Sequence, residues 1–124
     1  MCAKTILFVD DESSILAGHR LAFEALGYSV LTTDSGTEAM VLLRGHPVDA
    51  VVLDYAMTPM NGEEIARRVR REYGNIPIVL FSGCLSLPKS VLDVVDVSIE
   101  KGAGPIVLVE TLRQLIQPLA RMRK

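Results

Sequence analysis

The chain has 124 residues, 49% of them hydrophobic, and a formal net charge of -2; this fits one domain, residues 1–124, with a core large enough to need no staples. The mild negative charge speaks against direct nucleic-acid binding, and two cysteines, Cys2 and Cys84, offer neither a disulfide framework nor a cysteine metal site and fit a reducing cytoplasm. No apolar run is long enough for a signal segment or a membrane span, so a cytoplasmic protein without a membrane partner is expected.

Short apolar runs alternate with longer periodic ones. Thr5–Val9 reads as a buried strand. A helix follows over Ser13–Leu26, with Ile15, Ala22 and Leu26 inward and Gly27 as its stop. His19 falls near that inward face and reads as a packed, hydrogen-bonded histidine. Tyr28–Thr32 is a second strand and Ser35–Arg44 a second helix, closed by Gly45 and Pro47. Val48–Leu53 is a third strand, apolar on both faces apart from Asp49. Gly62–Tyr73 is a helix with Ile65, Ala66 and Val69 inward. Its "RRVRRE" run, Arg67–Glu72, reads as a solvated face supported by the pairs Glu63–Arg67 and Glu64–Arg68. Ile76–Phe81 is the fourth strand. Ser82–Val95 is the least regular stretch, where Pro88 opens at most a short helix. Val97–Glu100 is a weaker fifth strand. Pro105–Leu119 is the last helix, with Leu108, Leu112, Leu115 and Leu119 inward and a bend or fraying at Pro118. Ile106, Val107 and Val109 widen its apolar surface, through core packing or as a dimer or partner patch. Strands alternating with helices imply an α/β fold whose parallel sheet is covered on both faces.

In such a sheet, ligands bind beyond the carboxyl ends of the strands, near the point where strand order reverses. The first strand is followed by Asp10, Asp11 and Glu12. The third ends at Asp54, the fourth at Ser82 and the fifth at Lys101; the second, near Thr33 and Asp34, gives a weaker signal. In a five-stranded sheet of order 2-1-3-4-5, the flavodoxin-like (βα)5 three-layer sandwich, Asp10, Asp11 and Asp54 face one another across the switch point. Three clustered carboxylates raise one another's pKa. A hard divalent cation resolves the conflict, and Mg2+ takes oxygen ligands and works beside phosphate. Ser82 adds a hydroxyl donor and Lys101 a compact positive charge, which makes a site for a phosphoryl group with a carboxylate as nucleophile. Taken singly, each residue has an ordinary explanation: Asp11 or Ser13 as a helix cap, Asp54 as a turn residue, Ser82-Gly83 as a loop, Lys101 as a surface lysine. Jointly these explanations fare badly, because four chain segments place complementary groups on one edge.

The stretches "LFVDDE" (7–12), "VVLDYAMTPMNG" (51–62), "PIVLFSG" (77–83) and "EKG" (100–102) resemble the receiver domain of bacterial two-component response regulators, in the single-domain form of chemotaxis regulators. The resemblance covers nearly the whole chain in order and spacing. It implies that Asp54 is the phosphoacceptor, taking a phosphoryl group from a sensor histidine kinase or a phosphotransfer protein. It implies that Asp11 binds Mg2+ directly and Asp10 mainly through water, with Asp54 and the backbone carbonyl of Ala56 completing the protein ligands. Ser82 would turn toward the phosphoryl group and Lys101 would pair with one of its oxygens. Met57, Pro59 and Gly62 would shape the loop that holds Asp54. The reader would be a downstream protein partner or an output domain, and the face formed by the fourth helix, fifth strand and fifth helix would be the place for a homodimer.

The chain departs from that family in four places. Ser98 stands where a switch aromatic is common. Gly102 stands where proline usually follows the lysine. The interval from Ser82 to Lys101 is short, so the fourth helix is expected to be truncated. Ala56 and Cys84 offer no carboxylate or amide to orient water, which suggests a persistent phosphoryl group; Cys84 otherwise reads as a small apolar filler. Three other readings compete. A degenerate receiver acting through constitutive contacts is favoured by Ser98 and opposed by the intact acid, serine and lysine set. An aspartyl-phosphate phosphatase would carry a DxD pattern after the first strand, which "DDES" does not match. A flavin-binding protein would carry a Ser/Thr/Gly-rich phosphate loop there.

Overall fold

A strand that is apolar on both faces needs cover on both sides. The computed structural model, which describes residues 3–57, 60–83 and 86–116, provides that cover. Five parallel strands, β1 (Thr5–Val9), β2 (Ser29–Thr33), β3 (Ala50–Leu53), β4 (Ile78–Ser82) and β5 (Val97–Glu100), form one sheet of order β2-β1-β3-β4-β5. Five helices link or follow them: α1 (Ser13–Ala25), α2 (Gly36–Gly45), α3 (Gly62–Tyr73), α4 (Lys89–Leu92) and α5 (Pro105–Ile116). Leu7, Val9, Val51, Leu53, Ile78 and Leu80 pack on one side against α2, α3 and Val91 of α4. Ile6, Phe8, Val52, Val79, Phe81 and Ile99 pack on the other against α1 and α5. The expected flavodoxin-like three-layer sandwich is therefore the observed one, truncated α4 included.

Local chemistry sets the boundaries. Ser35 caps α2 by accepting from the Glu38 amide, and Asn61 and Glu64 form a reciprocal capping box on α3. The box takes Glu64 away from the expected pair with Arg68, while Glu63 does pair with Arg67, at 2.8 Å. β3 starts two residues later than expected because Asp49 serves the sheet edge: its Oδ2 accepts from the Thr5 amide at 2.7 Å. β4 also starts later. The Ile78 amide donates to Asp96 Oδ2 at 2.7 Å, and the Ile76 carbonyl is taken by Arg70. Pro105 opens α5 as expected, and Leu108 and Leu112 are buried, with Leu115 half-buried. Pro59, Cys84, Pro118 and Leu119 lie outside the described residues.

The inward face of α1 differs from the expectation. Ala22 is exposed, Leu26 is 55% exposed just past the helix, and Ile15 is half-buried. The buried stripe is Leu16 and Phe23, with His19 between them. Both stripes have helical spacing, and the one carrying the larger rings wins because rings bury more apolar area. Gly27 does end the helix, at φ +96°, a conformation that favours glycine.

The arginine run is also more than a solvated face. Arg70 donates to the carbonyls of Gly74, Ile76 and Val94 and to Asp96 Oδ2. Arg67 reaches the Ser90 carbonyl at 3.3 Å. Arg70→Ala is therefore expected to cost about 1–2 kcal/mol, since charged donors on part-buried carbonyls are worth more than exposed ion pairs. A urea titration reads this as a lower midpoint, and Arg68→Ala at an exposed position serves as the control that leaves the midpoint unchanged.

Candidate functional site

β1 and β3 are neighbours, so the residues just beyond their carboxyl ends converge. The Asp54 amide donates to the Val9 carbonyl at 3.0 Å, which carries the ladder one step past the strands and sets Asp54 beside Asp10. Asp10 is 4% and Asp54 5% exposed, while Asp11 faces solvent. One carboxylate oxygen from each of Asp10, Asp11 and Asp54 lies within 4.8 Å of the other two. Asp10 Oδ1 accepts from the Glu12 amide at 2.9 Å, so neither Asp11 nor Ser13 caps α1.

Lys101 enters from the far side of the sheet, directly after β5. Its Nζ lies 3.0 Å from Asp10 Oδ2, 3.1 Å from Glu12 Oε1 and 3.7 Å from Asp54 Oδ2. Burial pulls the ammonium pKa down, but hydrogen bonds with Asp10 and Glu12 and the charges of Asp10 and Asp54 together outweigh it, and the value is raised. Glu12 received no role from the sequence, although it stands third in the acidic run "DDE"; the structure makes it a partner of the lysine. Ser82 is 2% exposed at the end of β4, in register with Glu100, the residue before Lys101. Ala56 is exposed, and its amide donates to the Asp54 carboxylate.

The loop after β3 brings α3 close to the site. A Cβ on Gly62 would sit 2.5 Å from the Asp54 carbonyl oxygen and 2.9 Å from Tyr55 Cα. Only glycine allows that approach, and the Gly62 amide donates to the Tyr55 carbonyl at 3.0 Å. Met57, 4% exposed, anchors the loop in the core.

The three carboxylates form a donor set of hard oxygens, which suits Mg2+. A model of the response regulator receiver domain family matches residues 6–104. The chain belongs to that family. This receiver is 40% identical over 74 residues to response regulator SaeR of Staphylococcus aureus, a match that covers 60% of the receiver and 32% of SaeR. It spans about a third of the length of the curated relatives it matches. Among solved structures it is similar to a CheY-like receiver domain protein of Methanospirillum hungatei (TM-score 0.90, 23% identity, 98% of this chain and 99% of that one). It is also similar to response regulator protein TrrA of Thermotoga maritima (TM-score 0.85, 26% identity, 90% of this chain and 98% of that one), solved in complex with Mg2+–BeF. Among the described residues no helix of the receiver is long and apolar enough to cross a membrane.

His19 is packed as expected, through ring contacts with Phe8, Phe23 and Phe81, but among the described residues its ring makes no hydrogen bond, contrary to the expectation. Burial lowers its pKa, against the charge of Asp10 and with that of Lys101. Asp54 moves the other way. Burial first and then the Asp10 charge raise it from 3.8 to about 6, opposed by Lys101 and the Ala56 amide, with Asp11 adding to the rise. Between pH 3.8 and about 6 the folded receiver thus keeps a proton that the unfolded chain releases. In EDTA, its stability is expected to fall as pH rises from 3.8 through about 6. Asp54→Asn removes that part of the slope, so thermal melts should show the variant more stable than the parent at neutral pH and equal to it at the acid end.

Proposed function

We propose that residues 1–124 form a phosphorylation-dependent signalling switch whose phosphoacceptor is Asp54. The observation that carries this reading is the convergence of Asp10, Asp11 and Asp54 within 4.8 Å beside Lys101. An Asp54 carboxylate oxygen attacks the phosphorus of a phosphohistidine on a sensor kinase or phosphotransfer protein. The new P–O bond forms as the P–N bond breaks, and the imidazole leaves. Asp10, Asp11, Asp54 and the Ala56 carbonyl would hold Mg2+, which when bound offsets the charge of the carboxylates and of the transferring oxygens. Lys101 gives up Asp10 and Glu12 to pair with a phosphoryl oxygen, and the Ser82 hydroxyl donates to another. Asp54 must be ionised to attack, and its raised pKa of about 6 leaves it so at neutral pH.

The readers we propose are a downstream protein partner or an output domain. Leu92, Ile106 and Val107 are 44%, 74% and 42% exposed on α4 and α5, which supports a homodimer through the α4–β5–α5 face. Ser98, exposed on β5, favours the alternative of a degenerate receiver that binds its partner constitutively.

Incubation with Mg2+ and acetyl phosphate separates the two. A single phosphoryl adduct by intact mass, absent without Mg2+ and in Asp54→Asn, is the expected result. No adduct and no Mg2+ binding would sink the switch and leave the constitutive module. Because the exposed Ala56 side chain has no group to orient water, the adduct is expected to outlast a minute once donor is removed. Decay within seconds would contradict that persistence.

A further inference from the structure

Resting on that reading of Asp54, we propose that site occupancy is relayed to α1 through packed rings, Phe81–His19–Phe8–Phe23, rather than through an exposed ring on β5. Phe81 is joined by one peptide bond to Ser82, the hydroxyl residue at the end of β4, and is itself 6% exposed. Its ring lies 5.4 Å from that of His19, edge-on at 61°. The His19 ring stacks on Phe8 at 4.6 Å and 26°, and Phe8 meets Phe23 at 5.2 Å. Two residues of α1, one helical turn apart, are thus seated on rings from β1 and β4. Phe8, His19 and Phe81 also line one narrow gap with Asp10 and Asp54.

Rings packed at these distances reseat between discrete arrangements and do not stretch. A shift of Ser82 toward a phosphoryl group carries the Phe81 backbone with it. His19 then follows Phe81 or loses its edge contact, and either outcome changes how α1 sits on the sheet. Next to His19, Arg20 donates to Thr32 of β2 at 3.3 Å, so β2 registers the same movement. The β5 route lacks a ring, since neither of its exposed residues, Ser98 and Glu100, carries one.

The test uses amide and histidine-ring NMR spectra of the whole chain, with and without Mg2+ and beryllofluoride. Shifts are expected along α1 from Leu16 to Ala25 and at the His19 ring. His19→Leu is expected to at least halve the α1 shifts while acetyl phosphate still labels Asp54 at a rate within about twofold of the parent. His19→Phe, which keeps a ring, is expected to retain them. Phe81→Leu cuts the run at its other end and should act like His19→Leu, so a misfolded histidine variant does not shield the inference. Unchanged α1 shifts in the leucine variants, or parent shifts confined to β5 and α5, would overturn the relay alone. Absence of both the adduct and any beryllofluoride response would overturn the phosphoacceptor reading together with it.

Discussion

Two carboxylates held out of water at one sheet edge, Asp10 and Asp54, are the constraint on which the rest of this receiver depends. Each uses contact with a nearby backbone amide, Glu12 for Asp10 and Ala56 for Asp54, and each faces Lys101. One ammonium cannot neutralise both, and Asp11 adds a third charge at the rim. The mismatch is visible in the raised Asp54 pKa, caused first by burial and then by Asp10. A site left short of positive charge has the chemistry that suits a hard cation.

The opposite edge of the sheet shows how acids behave where structure alone is at stake. Asp49 and Asp96 accept from the first amides of β1 and β4, and Arg70 adds its charge to Asp96. Those carboxylates satisfy strand ends that would otherwise lose their donors' partners. Acids of one type thus have two kinds of work in the same sheet. At the amino ends they finish the ladder, and at the carboxyl ends they gather around a lysine.

Most of this was legible in the sequence because the two periodicities are strong. α3 and β5 match their expected bounds, and Asp10, Asp54 and Lys101 after β1, β3 and β5, with Ser82 at the end of β4, lie where strand alternation and a 2-1-3-4-5 order put them. The failures have a common cause. Ile15, Ala22 and Leu26 form as regular a stripe as Leu16, His19 and Phe23, and only the packing of rings against Phe8 and Phe81 decides between them. Glu64 and Arg68 have pair spacing, yet an unsatisfied amide at the start of α3 claims the glutamate. The reach of Arg70 to Val94 and of Glu12 to Lys101 joins residues far apart in the chain, and no local pattern encodes it.

The same contacts decide which parts of the receiver are free to move. α4 is a single turn, and α3 ties down its surroundings: Arg67 reaches the Ser90 carbonyl and Arg70 the Val94 carbonyl and Asp96. Such directed, charged hydrogen bonds resist sliding because a small displacement breaks their geometry. Ring contacts under α1 are less directional, so one face can be exchanged for an edge at small cost. A displacement that starts at Ser82 therefore meets a bolted layer toward α3 and a layer of rings toward α1. On that balance the lack of an aromatic at Ser98 fits the proposed relay, because the softer path from Ser82 runs through the other side of the sheet.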